Sequence, residues 1–95
     1  MADVETTAKV VAGLLGAAGR DLQAPGGDRV AEMLFLQAHE QICKLYGSDR
    51  QQLVPNLVKD GGAEIVRDLH NEIVGFTFGS GLFVRIDNCE KMHGF

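Results

Sequence analysis

The chain lacks a cluster of basic residues: its nine Lys and Arg are scattered singly from Lys9 to Lys91, against thirteen Asp and Glu. Without a basic patch there is no electrostatic footprint for a phosphate backbone, so nucleic acid is not an expected partner. No apolar run approaches the ~20 residues of a membrane-spanning helix, and no membrane partner is expected either. The opening MADVETTAK is acidic ahead of a short apolar VVAGLLGAAG. A secretory signal starts with a basic segment instead, so cytoplasmic residence is the expectation. With only two cysteines, such a chain is expected to carry free thiols or metal ligands sooner than a structural disulfide.

Catalytic signatures are missing as well. The glycines of GFTFGSG lead into the strand-like Leu82-Phe83-Val84, whereas a phosphate loop opens a helix N-terminus. Ser48 reads as a cap and Ser80 as a turn residue, neither with a histidine placed beside it. His70 is two residues from both Asp68 and Glu72, a spacing at which helical side chains do not face each other. The chain is not expected to be an enzyme, and it shows no internal repeat or low-complexity tract.

What is present is enough apolar residue for a core. Ninety-five residues at 45% hydrophobic and 23% charged, with a net charge of −4, describe one ordinary globular domain spanning 1–95. A chain of this size buries roughly two-thirds of its unfolded surface. The most apolar segment is Val30 to Tyr46, VAEMLFLQAHEQICKLY. On a helical wheel Val30, Leu34, Ala38, Ile42 and Leu45 share one wide arc with Phe35 and Tyr46, which predicts a central helix over 28–46. Helix 3–23 carries the seam Val4, Ala8, Val11, Leu15, Ala18 and Leu22 at alternating spacings of four and three, the pattern of packed helices. Its small residues Gly13, Gly16 and Gly19 would admit a close neighbour. A third helix over 49–59 is interrupted by Pro55, which predicts a kink or two short turns, with Ser48 and Gln51 as its capping box. A fourth is expected over 62–73, with the stripe Ile65, Val66, Leu69 and Ile73 and an acidic row of Asp60, Glu64, Asp68 and Glu72.

The period then changes from 3.6 to 2. Val74, Phe76 and Phe78 alternate, as do Leu82, Val84 and Ile86, around Gly79-Ser80-Gly81. A three-residue loop with a left-handed glycine predicts a β-hairpin over 74–78 and 82–87, with Phe76 opposite Val84 and Thr77 opposite Phe83. The fold expected is therefore α+β: three to four helices, then a C-terminal hairpin packed on them, then a tail over 88–95.

One constellation could hold a ligand. His39 and Cys43 are four apart, as are Cys89 and His93; on helices each pair shares a face. Two thiolates and two imidazoles are a ligand set that zinc accepts in tetrahedral structural sites. Neither spacing is that of a standard finger, so the alternatives stay open: Cys43 as a buried small hydrophobe with no cofactor, zinc on all four residues, or a Cys43–Cys89 disulfide.

The leading functional expectation is a non-enzymatic protein-binding or assembly module, a homo-oligomer acting through another protein surface. Its interface would be the hairpin, through Phe76, Phe78, Phe83, Val84 and Arg85 and the two free strand edges. The alternatives are a zinc-dependent regulatory or sensor domain using His39, Cys43, Cys89 and His93, and a small-ligand-binding accessory subunit with a pocket between hairpin and central helix.

Overall fold

A computed structural model describes residues 3–94; Met1, Ala2 and Phe95, the ends of the expected span and tail, lie outside the described residues. Among the described residues the fold is α+β, with four helices and a three-stranded antiparallel sheet. The elements are α1 (Val4–Gln23), α2 (Asp28–Ser48), α3 (Arg50–Lys59), β1 (Glu64–Arg67), β2 (Ile73–Thr77), β3 (Phe83–Arg85) and α4 (Cys89–His93).

The apolar spacing of α1 translates directly into packing. Val4, Ala8, Val11, Leu15 and Ala18 are buried, while Leu22, at the last step of the seam, is half exposed. Asp3 caps this helix, its carboxylate accepting from the Glu5 amide at 3.2 Å, which satisfies one of the free donors of the first turn. The close approach expected of the small residues occurs at Gly19, where an added Cβ would lie 2.7 Å from Ser80 Cβ in the β2–β3 turn. Helix α2 buries Ala31, Ala38, His39, Ile42 and Cys43, leaving Val30 and Met33 exposed beyond the end of the core.

The corner between α2 and α3 departs from expectation. Helix α2 runs on through Gly47 to Ser48, so Ser48 is its last residue and not a cap for α3. The Ser48 hydroxyl donates back to the Lys44 carbonyl at 3.2 Å, and the capping box does not form because Asp49 takes the cap position. Helix α3 continues through Pro55. The proline lies on the solvent side with Gln51, so the Gln51 carbonyl that loses its amide partner faces water.

The helix expected over 62–73 is not formed. Glu64–Arg67 is strand β1, paired antiparallel with β2: Glu64 opposite Thr77, Ile65 opposite Phe76 and Val66 opposite Gly75. Asn71 adopts a left-handed φ of 63°. The Asp68 carboxylate accepts from the amides of His70 at 2.8 Å and Glu72 at 3.0 Å, closing a tight turn. Leu69, assigned to a buried stripe, is fully exposed at the tip of that turn. The cause is tertiary. A two-stranded hairpin is marginal in water, and β1 pairs the otherwise open edge of β2, using the β-branched Ile65 and Val66 that suit a pleated surface. The acidic row consequently does not exist, since Asp68 is engaged by its own turn.

The hairpin has the expected register, with Phe76 opposite Val84, Thr77 opposite Phe83 and Gly75 opposite Arg85. The Phe78 amide donates to the Leu82 carbonyl at 3.0 Å, and Gly81 holds the left-handed position at φ 86°. The column Ile65–Phe76–Val84 faces the helices and closes the core with Leu15, Ile42, Leu53 and Leu57. Among the described residues β1 and β3 are the edge strands, so one strand of the hairpin, β2, has no open edge. No helix of the described residues is long and apolar enough to cross a membrane.

Candidate functional site

The chain leaves β3 at Arg85, tucks Ile86 into the core and reverses at Asp87-Asn88, which returns it to the flank of α2. There the short helix α4 begins. Its Cys89 and His93 share one face, as do His39 and Cys43 on α2, and the two faces meet. The four candidate ligands are thus brought to one corner of the molecule. Cys43 and Cys89 are joined as a disulfide with their Cα atoms 5.6 Å apart. The bridged alternative is therefore the one in place, not the free thiols.

Around the bridge the two imidazoles are in contact. His39 Nδ1 lies 2.7 Å from His93 Nε2, and Cys43 Sγ lies 3.8 Å from the His39 ring nitrogens. His39 is 2% exposed, so every polar atom on its ring needs a partner. Its Nε2 faces two acceptors, the Arg85 carbonyl at 2.7 Å and Asn88 Oδ1 at 2.9 Å. Two acceptors assign the proton to Nε2, which donates to them. A neutral ring then has a lone pair at Nδ1, and His93 donates to it from Nε2. The ring of Phe35, one turn back along α2, stacks on His39 at 6.1 Å.

This hydrogen-bond pattern is the one that orients a metal-binding histidine, with one ring N–H held by a carbonyl and the other nitrogen turned toward the ligand. The donor atoms of His39, Cys43 and His93 all lie within 4.8 Å of one another. Standard zinc bond lengths make a tetrahedral N–S edge about 3.6 Å, close to the 3.8 Å between His39 and Cys43. The His39–His93 edge is shorter than the about 3.3 Å such a site needs, and the two sulfurs are bonded. The corner as it stands holds a disulfide, with the potential donors of His39, Cys43 and His93 gathered beside it.

Two participants were not legible as site residues. Asn88 supplies its side-chain oxygen, and Arg85 acts through its carbonyl and not through the side chain assigned to an interface. The Arg85 guanidinium instead forks onto Asp87, with Nε to Oδ1 at 2.9 Å and Nη2 to Oδ2 at 2.6 Å. Those hydrogen bonds, with the accompanying charge attraction, hold the Asp87 carboxyl below its ordinary range and raise Arg85 above its own. The fork braces the turn that presents the Arg85 carbonyl and Asn88 to His39.

The other expected interface residues divide by face. Phe76, Phe78 and Val84 are buried in the chain's own core and offer a partner nothing, because the sheet lies on the helices through them. Phe83 is 41% exposed on the outer face, where its ring lies over Gly75 and leaves no room for a Cβ there. The expected ligand pocket reduces to an open apolar groove of about 180 Å³ between Leu22, Ala31, Phe35 and Leu82, below the range of ordinary small-molecule sites. Comparison with known protein families, curated proteins and solved structures returned no match for this chain.

Proposed function

We propose that this chain is a regulatory binding domain, not an enzyme, whose reduced form holds one zinc ion on His39, Cys43, Cys89 and His93. The observation that carries the reading is the buried His39, with Nε2 committed to the Arg85 carbonyl, Nδ1 against His93 Nε2 at 2.7 Å and Cys43 Sγ 3.8 Å from both ring nitrogens. A core histidine with a packing role alone has no need to converge with the second histidine and both cysteines. Two thiolates and two imidazoles favour zinc over the oxygen-seeking Mg²⁺ and Ca²⁺. In the reducing cytoplasm expected for the chain, the thiols are kept available for metal. The test is native mass spectrometry of reduced protein in chelator-free buffer with zinc added. One zinc per chain is expected, with a raised melting temperature, and both are lost in His39→Ala and Cys89→Ser. Reduced protein that takes up no zinc overturns the reading.

A second reading, self-association through the sheet, is favoured by the exposed Phe83 and the open edge of β3. It predicts an oligomer by light scattering that Phe83→Lys converts to a monomer. A monomeric wild-type chain removes it.

A further inference from the structure

Helix α4 has only five residues, and none of them is buried. A helix that short is unstable alone, and its packing is on α2. Its attachment includes Cys89 through the bond to Cys43, His93 through the hydrogen bond to His39, and the capping residue Asn88 on the same His39 ring. Cys89 and His93 would supply half of the metal ligands. The two cysteines cannot serve both bonds at once: a disulfide sulfur carries no thiolate charge for zinc, and a sulfur holding zinc as thiolate is not part of a disulfide.

Resting on the zinc reading above, we infer that this corner is a redox-exchanged latch, closed by zinc when reduced and by the Cys43–Cys89 disulfide when oxidised. It is open only when the protein is both reduced and metal-free. The opposing reagent is a small disulfide. Cys89 is half-buried, whereas Cys43 is 3% exposed, so the Cys89 thiolate makes the first attack on the reagent's sulfur. That attack forms a mixed disulfide and expels one small thiolate. The Cys43 thiolate then attacks Cys89 Sγ, closes the bridge and expels the second thiolate. The two cysteines together lose two electrons and the reagent gains them. Zinc leaves as Zn²⁺ with its oxidation state unchanged and completes its shell with water. His39 keeps its Nε2 proton on the Arg85 carbonyl throughout, and His93 returns to donating from Nε2 to His39 Nδ1.

The latch state is readable at two amides of α4, Met92, which donates to the Asn88 carbonyl at 2.9 Å, and Gly94, which donates to the Glu90 carbonyl at 2.7 Å. Hydrogen exchange at these amides is to be followed by NMR in oxidised, reduced zinc-loaded and reduced metal-free protein. Zinc release on adding oxidised glutathione to the zinc form is followed with a chromogenic chelator. The result expected is one zinc released and two thiols lost per chain. The amides stay protected in both closed states and exchange faster by on the order of 100-fold in the open one, while amides of α1 and α2, which exchange only through global unfolding, remain slower than those of α4 in all three states. Cys89→Ser closes in neither way and exchanges at the open rate under all conditions, with the far-UV spectrum of the folded chain retained. Zinc that binds but stays bound through glutathione oxidation overturns the exchange and leaves the zinc reading standing. So does equal protection of Met92 and Gly94 in the open and closed forms. Failure to bind zinc at all overturns both.

Discussion

The core under the sheet and the corner around His39 are built on opposite principles. Phe76, Leu15, Ile42, Leu53 and Val84 have no exposed surface and touch one another through carbon alone. Their stabilisation comes from area removed from water and is indifferent to redox state or metal. The corner buries little of α4 and depends on one covalent bond and a chain of hydrogen bonds running from the Arg85 carbonyl through His39 to His93. No buried polar side-chain atom of the described residues lacks a partner, so the chain is complete while α4 is docked and broken when it leaves. A small domain can thus keep a permanent fold beside a segment whose attachment depends on its chemical surroundings.

The largest blow to the core is Phe76→Ala, expected to cost about 3–5 kcal/mol by cavity formation. Urea unfolding should show the same loss with and without reductant, because no sulfur is involved; a redox-dependent loss would merge the two regions into one. Removing the bridge acts through the unfolded chain and, unlike the core loss, depends on redox state. Cys89→Ser is expected to lower oxidised stability by about 4 kcal/mol on the loop-entropy model, the closed loop spanning 46 residues. In reduced, metal-free protein the same substitution should change the urea midpoint little.

On the outer sheet face, Gly75→Ala places a methyl against the Phe83 ring and the Val84 carbonyl. An overpacking loss of about 1–3 kcal/mol is expected. The double variant with Phe83→Ala should recover only part of it, since the carbonyl stays, and complete recovery in a thermal melt would show that the ring alone excludes the methyl. The smallest effect belongs to Asp87. Its folded carboxyl is held below the ordinary value by hydrogen bonds from Arg85. Its contribution is therefore present in full above the ordinary carboxylate pKa, about 3.9, and is lost as pH falls through the depressed folded value. Both partners are exposed, so the gain is small and screened by salt. Asp87→Asn should flatten the acid limb of the melting-temperature profile slightly and leave neutral pH nearly unchanged.

Legibility followed the range of the interactions. The alternation in Val74–Phe78 and Leu82–Ile86, with a glycine-bearing loop of matching length, determined the hairpin register because strand pairing across a short turn is a local problem. The seam of α1 and the wide apolar arc of α2 determined which faces are buried, and the paired i,i+4 spacings determined that His39 with Cys43, and Cys89 with His93, share faces. Residues 62–73 carry spacings compatible with a helix, even though Ile65 and Val66 also suit a strand and Asp68 can close its own turn. Only the unpaired edge of β2, which exists once the hairpin has docked, turns Ile65 and Val66 into a strand and Asp68–Glu72 into a turn. The convergence of the two histidine–cysteine faces is likewise tertiary. It depends on the reversal at Asp87-Asn88 and on a carbonyl at Arg85 whose position no side-chain pattern encodes, because a backbone acceptor is the same at every residue and only the fold decides which one meets His39.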